Sequence, residues 1–151
     1  MQIRIAVMED INSVISLLKQ FMIFENADLL TDIQYKSMFE IVIENPQKAI
    51  FVVAQKNNQL VGMLTMVFGF STWKGKDYVI IDDVFVLPSY RLMGVATNLI
   101  NNAFRIAEER NCVRVDLVTE IDNYMAQKLY DKLGFKQLRR ILFTKVFQVG
   151  T

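Results

Sequence analysis

Residues 3–7 alternate, with Ile3, Ile5 and Val7 separated by Arg4 and Ala6, which predicts a first strand. The period then changes: Val14, Leu17, Leu18 and Phe21 recur at helical spacing behind Glu9 and Asp10, acidic residues suited to capping the helix they introduce. A second helix is predicted over residues 32–44, ended by Asn45-Pro46 because the residue before a proline is pushed out of helical geometry. Residues 49–55 are apolar and β-branched, 56–59 form a polar turn and 60–70 resume as a strand, so the pair is expected to be an antiparallel hairpin. Residues 69–75 break the pattern, and residues 78–86 form the next strand. Residues 87–90 then lead into a long helix with Val95, Leu99, Ala103, Ile106 and Ala107 along one face. A strand over 113–118, a helix over 123–133 stopped by Gly134 and two short strands, the last over 141–147, complete the order βααβββαβαββ.

Hydrophobic strands flanked by helices predict one α/β domain over residues 1–151. Its central sheet is expected to be mixed, mostly antiparallel and covered on both faces. No internal repeat or linker interrupts it. Length agrees, because 151 residues suffice for one ordinary core. Seventeen Lys plus Arg against sixteen Asp plus Glu leave a formal charge of +1, which argues against the basic surface that nucleic acid requires. The single Cys112 excludes an internal disulfide framework and, opening an apolar run, suggests a small buried side chain in a reducing compartment. The first ten residues lack a signal-peptide apolar run, and no stretch approaches the roughly 18 apolar residues that cross a bilayer. The expectation is a cytoplasmic protein without a membrane partner. There is no His, so chemistry falls to carboxylates, Tyr and backbone amides, and no metal is expected.

The segment Arg91-Leu92-Met93-Gly94-Val95-Ala96 stands between a buried strand and a helix. The first amides of that helix, from Leu92 to Thr97, lack carbonyl partners and carry the positive end of the helix dipole, which suits a phosphate. Gly94 and Ala96 allow close approach, and Arg91 can add charge. The dinucleotide glycine fingerprint and the P-loop lysine are both missing, which turns the expectation toward another phosphate ligand.

VFVLPSYRLMGVATNLI resembles the central motif of the GNAT family of N-acetyltransferases, and NYMAQKLYDKLGF is similar to that family's second motif. Together with the element order the resemblance covers nearly all of the chain. It implies the GNAT-like fold, acetyl-CoA as cofactor and the Arg91 turn as the seat of the coenzyme A pyrophosphate. The chain departs from the usual Arg-Gly-x-Gly-x-Gly at Leu92, Met93 and Ala96, substitutions that leave the amides in place. The resemblance further implies that backbone groups of Val84, Phe85 and Val86 pair with the pantetheine arm, that Asn123 contacts it, and that Tyr130 gives a proton to the departing thiolate. Asn123, Ala126 and Tyr130 share one helix face, and a phenol of pKa about 10 stays protonated at neutral pH.

In YVIIDDVFV two carboxylates interrupt a strand, and Asp82 and Asp83 are expected on opposite faces. Pairing of either with Arg or Lys explains them as well as catalysis does. The resemblance favours Asp82 as the acid that accepts the amine's proton through water. FSTWKGKDYVIIDDVFV also looks like the diamine and thialysine acetyltransferase branch, which implies a small primary amine as acceptor, with Trp73, Asp82, Glu25 and Asp28 beside it. A protein or peptide acceptor, a coenzyme A-binding module without catalysis and a plain nucleotide binder are the alternatives. Cys112 lies outside both motifs and is assigned no catalytic role. The apolar segment 141–147 is expected to extend a partner's sheet in a homodimer.

Overall fold

Five strands form one mixed sheet in the computed structural model, which describes residues 1–149. In chain order they are β1 (Gln2–Ile5), β2 (Ala49–Lys56), β3 (Gln59–Ser71), β4 (Lys76–Val86) and β5 (Val115–Leu117), which is also their order across the sheet. The pairs from β1 to β4 are antiparallel, and β5 joins β4 in parallel. The α-helices are α1 (Ile11–Phe24), α2 (Asp32–Glu44), α3 (Val95–Glu109) and α4 (Tyr124–Lys132). Gly150 and Thr151, the end of the expected 1–151 domain, lie outside the described residues. The chain forms two compact units, Met1–Val118 with the whole sheet and Thr119–Thr151 with α4.

Local chemistry accounts for the first unit's connections. The β2–β3 hairpin turns on Asn57 and Asn58, both left-handed at φ 49° and 60°, the backbone of the tight primed turn that asparagine tolerates. Thr31 caps α2 by accepting from the Gln34 amide at 3.2 Å, while Gln34 accepts from the Thr31 amide at 2.9 Å. At the entrance to α1 the Asp10 carboxylate takes the Val7 amide at 2.8 Å and both terminal nitrogens of Arg4 at 2.6 and 2.9 Å. This ties β1 to the first helix.

The two sheet faces bury different helices. Val14, Leu17 and Leu18 of α1 and Tyr35 and Phe39 of α2 pack with Phe51, Val53, Met63 and Phe85. On the other face α3 buries Val95, Leu99, Ile100 and Ile106. Each such side chain contributes roughly 1.5–3 kcal/mol. That outweighs the cost of Asn98, Asn101 and Asn102, each at most about 0.7 kcal/mol below Ala in a helix. Gly62 makes the approach of α3 feasible: a Cβ there would lie 3.1 Å from both the Phe85 carbonyl oxygen and the Val95 side chain.

In the second unit, Asn123 caps α4 through its side-chain oxygen, which accepts from the Ala126 amide at 3.2 Å. Gly134, at φ 89°, ends the helix, and the Phe135 amide turns back to the Tyr130 carbonyl at 3.0 Å. The two short strands expected after Gly134 are not formed among the described residues. The segment 141–147 has the apolar composition of a strand, but a strand needs a ladder, and Ile141, Leu142, Phe143, Val146 and Phe147 are instead exposed.

Candidate functional site

The acidic pair lies at a break in the β3–β4 ladder. Thr65 is paired with Asp83 and the next residue, Met66, with Ile81, so Asp82 is the extra residue of a β-bulge. The bulge interrupts the regular alternation here: Ile81 and Asp83, two positions apart, lie opposite the adjacent residues Met66 and Thr65 and so on opposite faces. Asp83 now shares its face with Phe85 on β4 and with Met63 and Thr65 across the ladder, the face that packs on α1 and α2. Asp82 is exposed and Asp83 half-buried. Burial pushes the Asp83 carboxyl above the ordinary carboxylate range, Thr65 opposes the rise and the Asp82 charge adds to it. Neither carboxylate is in a salt bridge among the described residues, which leaves the Arg or Lys pairing alternative without support. Between the two, it is Asp83 that has the environment of a tuned acid or base.

A strand edge lies open beyond the bulge. β5 pairs with β4 only from Val79 to Ile81, so beyond the bulge no strand covers the β5 side of β4 among the described residues. Val84 and Phe85 have main-chain groups along this stretch. Val86 is partly committed, because its carbonyl accepts from Arg91 Nε at 3.0 Å and its pair across β3 is Gly62. An extended ligand with amide groups could add to such an edge as a further strand.

Beyond β4 the chain enters α3 through the turn 91–94. Leu92 at φ 60° and Gly94 at φ 79° are both left-handed, and the Asn98 amide closes on the Gly94 carbonyl at 3.0 Å as the first helical bond. The amides of Val95, Ala96 and Thr97 thus project forward from a helix of 15 residues. Arg91 contributes differently from the sequence expectation. Its guanidinium stacks over the rings of Phe24 and Phe85 at 4.9 and 5.7 Å, while its Nε is spent on Val86. It fastens the turn to α1 and β4 first, and only its remaining N–H groups are free for an anion. The Leu92 and Met93 side chains are exposed. The amides and open strand edge together fit the pyrophosphate and pantetheine of coenzyme A.

On α4, Tyr130 is half-buried and meets the Phe135 ring edge-on at 5.7 Å. Burial raises its hydroxyl above the ordinary phenol value, so it holds its proton at neutral pH. Asn123 uses its side-chain oxygen as the helix cap, which leaves its amide N–H groups for other partners, and Ala126 supplies the amide it caps. Trp73 occupies the turn between β3 and β4 and is 95% exposed. Asp82 stands six positions beyond Lys76, where β4 begins, about 20 Å of strand, so the structure does not bring Trp73 beside the acidic pair. Glu25 ends α1, with its amide on the Phe21 carbonyl, and both it and Asp28 are exposed in the connection to α2. Cys112 is half-exposed. Burial and Asp77 raise its thiol, which disfavours the nucleophilic thiolate.

Sequence reasoning missed Thr65. Its signal was a lone hydroxyl inside the otherwise apolar run from Leu60 to Phe68. No helix among the described residues is long and apolar enough to cross a membrane.

Comparison with known proteins agrees with this geometry. The model of the Acetyltransferase (GNAT) family matches residues 11–135. A thialysine N-epsilon-acetyltransferase of Bos taurus is 32% identical over 79 residues, 52% of this chain and 46% of that protein. An aminoglycoside N(6')-acetyltransferase type 1 of Salmonella typhimurium is 35% identical over 65 residues, 43% of this chain and 45% of that protein. The chain thus matches about half the length of these curated relatives. Among solved structures, AAC(6')-Iy in complex with the bisubstrate analog CoA-S-monomethyl-acetylneamine superimposes with a TM-score of 0.83 at 23% identity, covering 97% of this chain and 98% of that one. This last likeness is one of fold.

Proposed function

The chain belongs to the Acetyltransferase (GNAT) family, and on that premise we propose that it moves an acetyl group from acetyl-CoA to a primary amine of a small molecule: a polyamine, a diamine or an amino-acid side chain. The observation that carries the proposal is the acidic bulge, with Asp82 and Asp83 opening the free edge of β4. Acetyl-CoA supplies the acetyl group as a thioester. The amides of Val95, Ala96 and Thr97 hold its pyrophosphate, helped by the left-handed turn at Leu92 and Gly94, and main-chain groups of Val84 and Phe85 align its arm. Asp82 and Asp83 attract a cationic amine. Asp83, whose carboxyl is raised by burial, takes the proton that the ammonium gives up before attack, which leaves the nitrogen the lone pair that forms the new C–N bond. The Tyr130 hydroxyl gives a proton to the sulfur whose bond to carbon breaks and is reprotonated through solvent as the nitrogen sheds its second proton, so amide and thiol form without an acyl-enzyme.

The names of the two relatives, thialysine and aminoglycoside acetyltransferases, support a small-molecule acceptor. Thiol release from acetyl-CoA with a panel of diamines, polyamines, lysine analogues, aminoglycosides and peptides with free amino termini tests the proposal. Turnover on a small amine that falls sharply in Asp83→Asn is the expected result. Turnover confined to peptides would reassign the acceptor, and tight coenzyme A binding with no turnover on any amine would favour a binding module.

A further inference from the structure

Thr65 stands where a hydroxyl is costly. It is 7% exposed, and its oxygen is buried without a hydrogen bond of good geometry. It lies between Phe51 on β2 and Asp83 on β4 in the ladder, on the face of Met63 and Phe85. A valine would fill nearly the same volume, and a buried hydroxyl without a partner costs roughly 1–3 kcal/mol. The compensation lies across the ladder. The residue opposite is the half-buried carboxylate of Asp83, at the point where the bulge widens the strand pair.

We propose that Thr65 is a positioning residue: its hydroxyl donates to the Asp83 carboxylate, fixing the side-chain rotamer and the ionised form that receives the acceptor's proton. The inference rests on the role given to Asp83 above. The Thr65 hydroxyl has no hydrogen-bond partner among the described residues of the free chain, and the bulge beside it, where two residues of β4 oppose one of β3, is where the strand pair can adjust to bring it onto Asp83.

The Arg91 guanidinium, over the Phe85 ring on the same face at 5.7 Å, has its Nε on the Val86 carbonyl at 3.0 Å, and the groups that act on the Asp83 carboxyl itself leave Thr65 as the one that favours the charged form. Burial and the neighbouring Asp82 both disfavour it, and Thr65 alone acts in the other direction. β3 carries no charged residue between Leu60 and Ser71. α1, which packs against β3 and β4, has Lys19 as its one charged side chain, and its ammonium is held by Asp32 at 2.6 Å. On β5, Asp116 is paired with Arg114 at 2.8 Å.

The test is a carbon-13 titration of the aspartate carboxyls in the full chain, with the Asp83 line assigned by its loss in Asp83→Asn. Thr65→Val should move the Asp83 midpoint up by about one pH unit, the size expected for a lost hydrogen bond to a charged group. Thr65→Ser should restore it. The acid limb of the kcat/KM profile should move by the same amount, with KM for acetyl-CoA unchanged. If Thr65→Val does not fold, Thr65→Cys takes its place, its weaker donor giving a smaller shift in the same direction. An unmoved Asp83 midpoint in the folded variant, or a serine variant that behaves like valine, overturns the proposal. The titration needs neither acceptor nor turnover. A chain inactive on every amine would therefore sink the proposed function without touching this result, and an unmoved titration would sink Thr65 while the activity stood.

Discussion

Leu92 is an exposed residue with a backbone that only glycine adopts freely. Its φ is 60° and its side chain is 91% exposed, so no packing offsets the strain. A left-handed conformation costs a non-glycine residue about 1–2 kcal/mol. Replacing Leu92 by glycine removes that cost and adds about 0.5–1 kcal/mol of chain entropy to be lost on folding. The balance is a gain of roughly 0.5–1 kcal/mol, or about 1–4 °C in melting temperature for a protein of this size. Leu92→Ala is the control. It keeps the Cβ and the strain, and should melt within about 0.5 kcal/mol of the parent. Gly94 is the converse case. It sits at φ 79°, and a methyl group added there would meet nothing within 4 Å, so Gly94→Ala should cost roughly 0.5–1 kcal/mol, the left-handed strain less the chain entropy saved, with no clash added. Thermal and urea unfolding of the three variants measures all of these. In a right-handed turn the order reverses, and Leu92→Gly melting below Leu92→Ala would rule out the strained left-handed backbone at Leu92.

Three further outcomes are expected. Asp10→Asn should cost about 2–3 kcal/mol in urea unfolding, because the Arg4 guanidinium, bound bidentately to a carboxylate only 11% exposed, loses its counter-charge. Arg4 holds the Asp10 carboxyl below the ordinary range. Its stabilisation is therefore complete above about pH 4 and is lost as pH falls through the folded value, so Asp10→Asn should flatten that acid decline. Tyr130→Phe should lower kcat by about 10²-fold with coenzyme A affinity unchanged, measured by thiol release and calorimetry, and undiminished turnover would remove Tyr130 from the chemistry. Gly62→Ala should destabilise by about 1–3 kcal/mol and weaken coenzyme A binding, because the added methyl presses on Val95, the first residue of α3; unchanged affinity would show that the helix start absorbs it.

Which of these positions the sequence announced follows from how local each cause is. The Asn57-Asn58 turn, the α3 stripe and the Gly134 stop are set by residues within one or two turns of themselves, so periodicity and turn chemistry found them. The terminal strands failed for the opposite reason: the alternation in 141–147 records a capacity to pair, while a strand exists only where a partner edge supplies the ladder. Asp82 and Asp83 illustrate the same divide within the site. Their presence in an apolar strand was plain, but a count of alternating positions assumes a regular ladder, and a bulge is a property of two strands aligned together. Arg91 was placed on the phosphate by its position in a motif, whereas the rings that hold its guanidinium come from Phe24 and Phe85, 67 and 6 residues away in the chain. Thr65 is the extreme case, a single hydroxyl among apolar neighbours that acquires a role only when register sets it opposite Asp83. Single residues of the candidate site thus stand out in the sequence one by one, and what could not be read is which of them the ladder sets opposite one another.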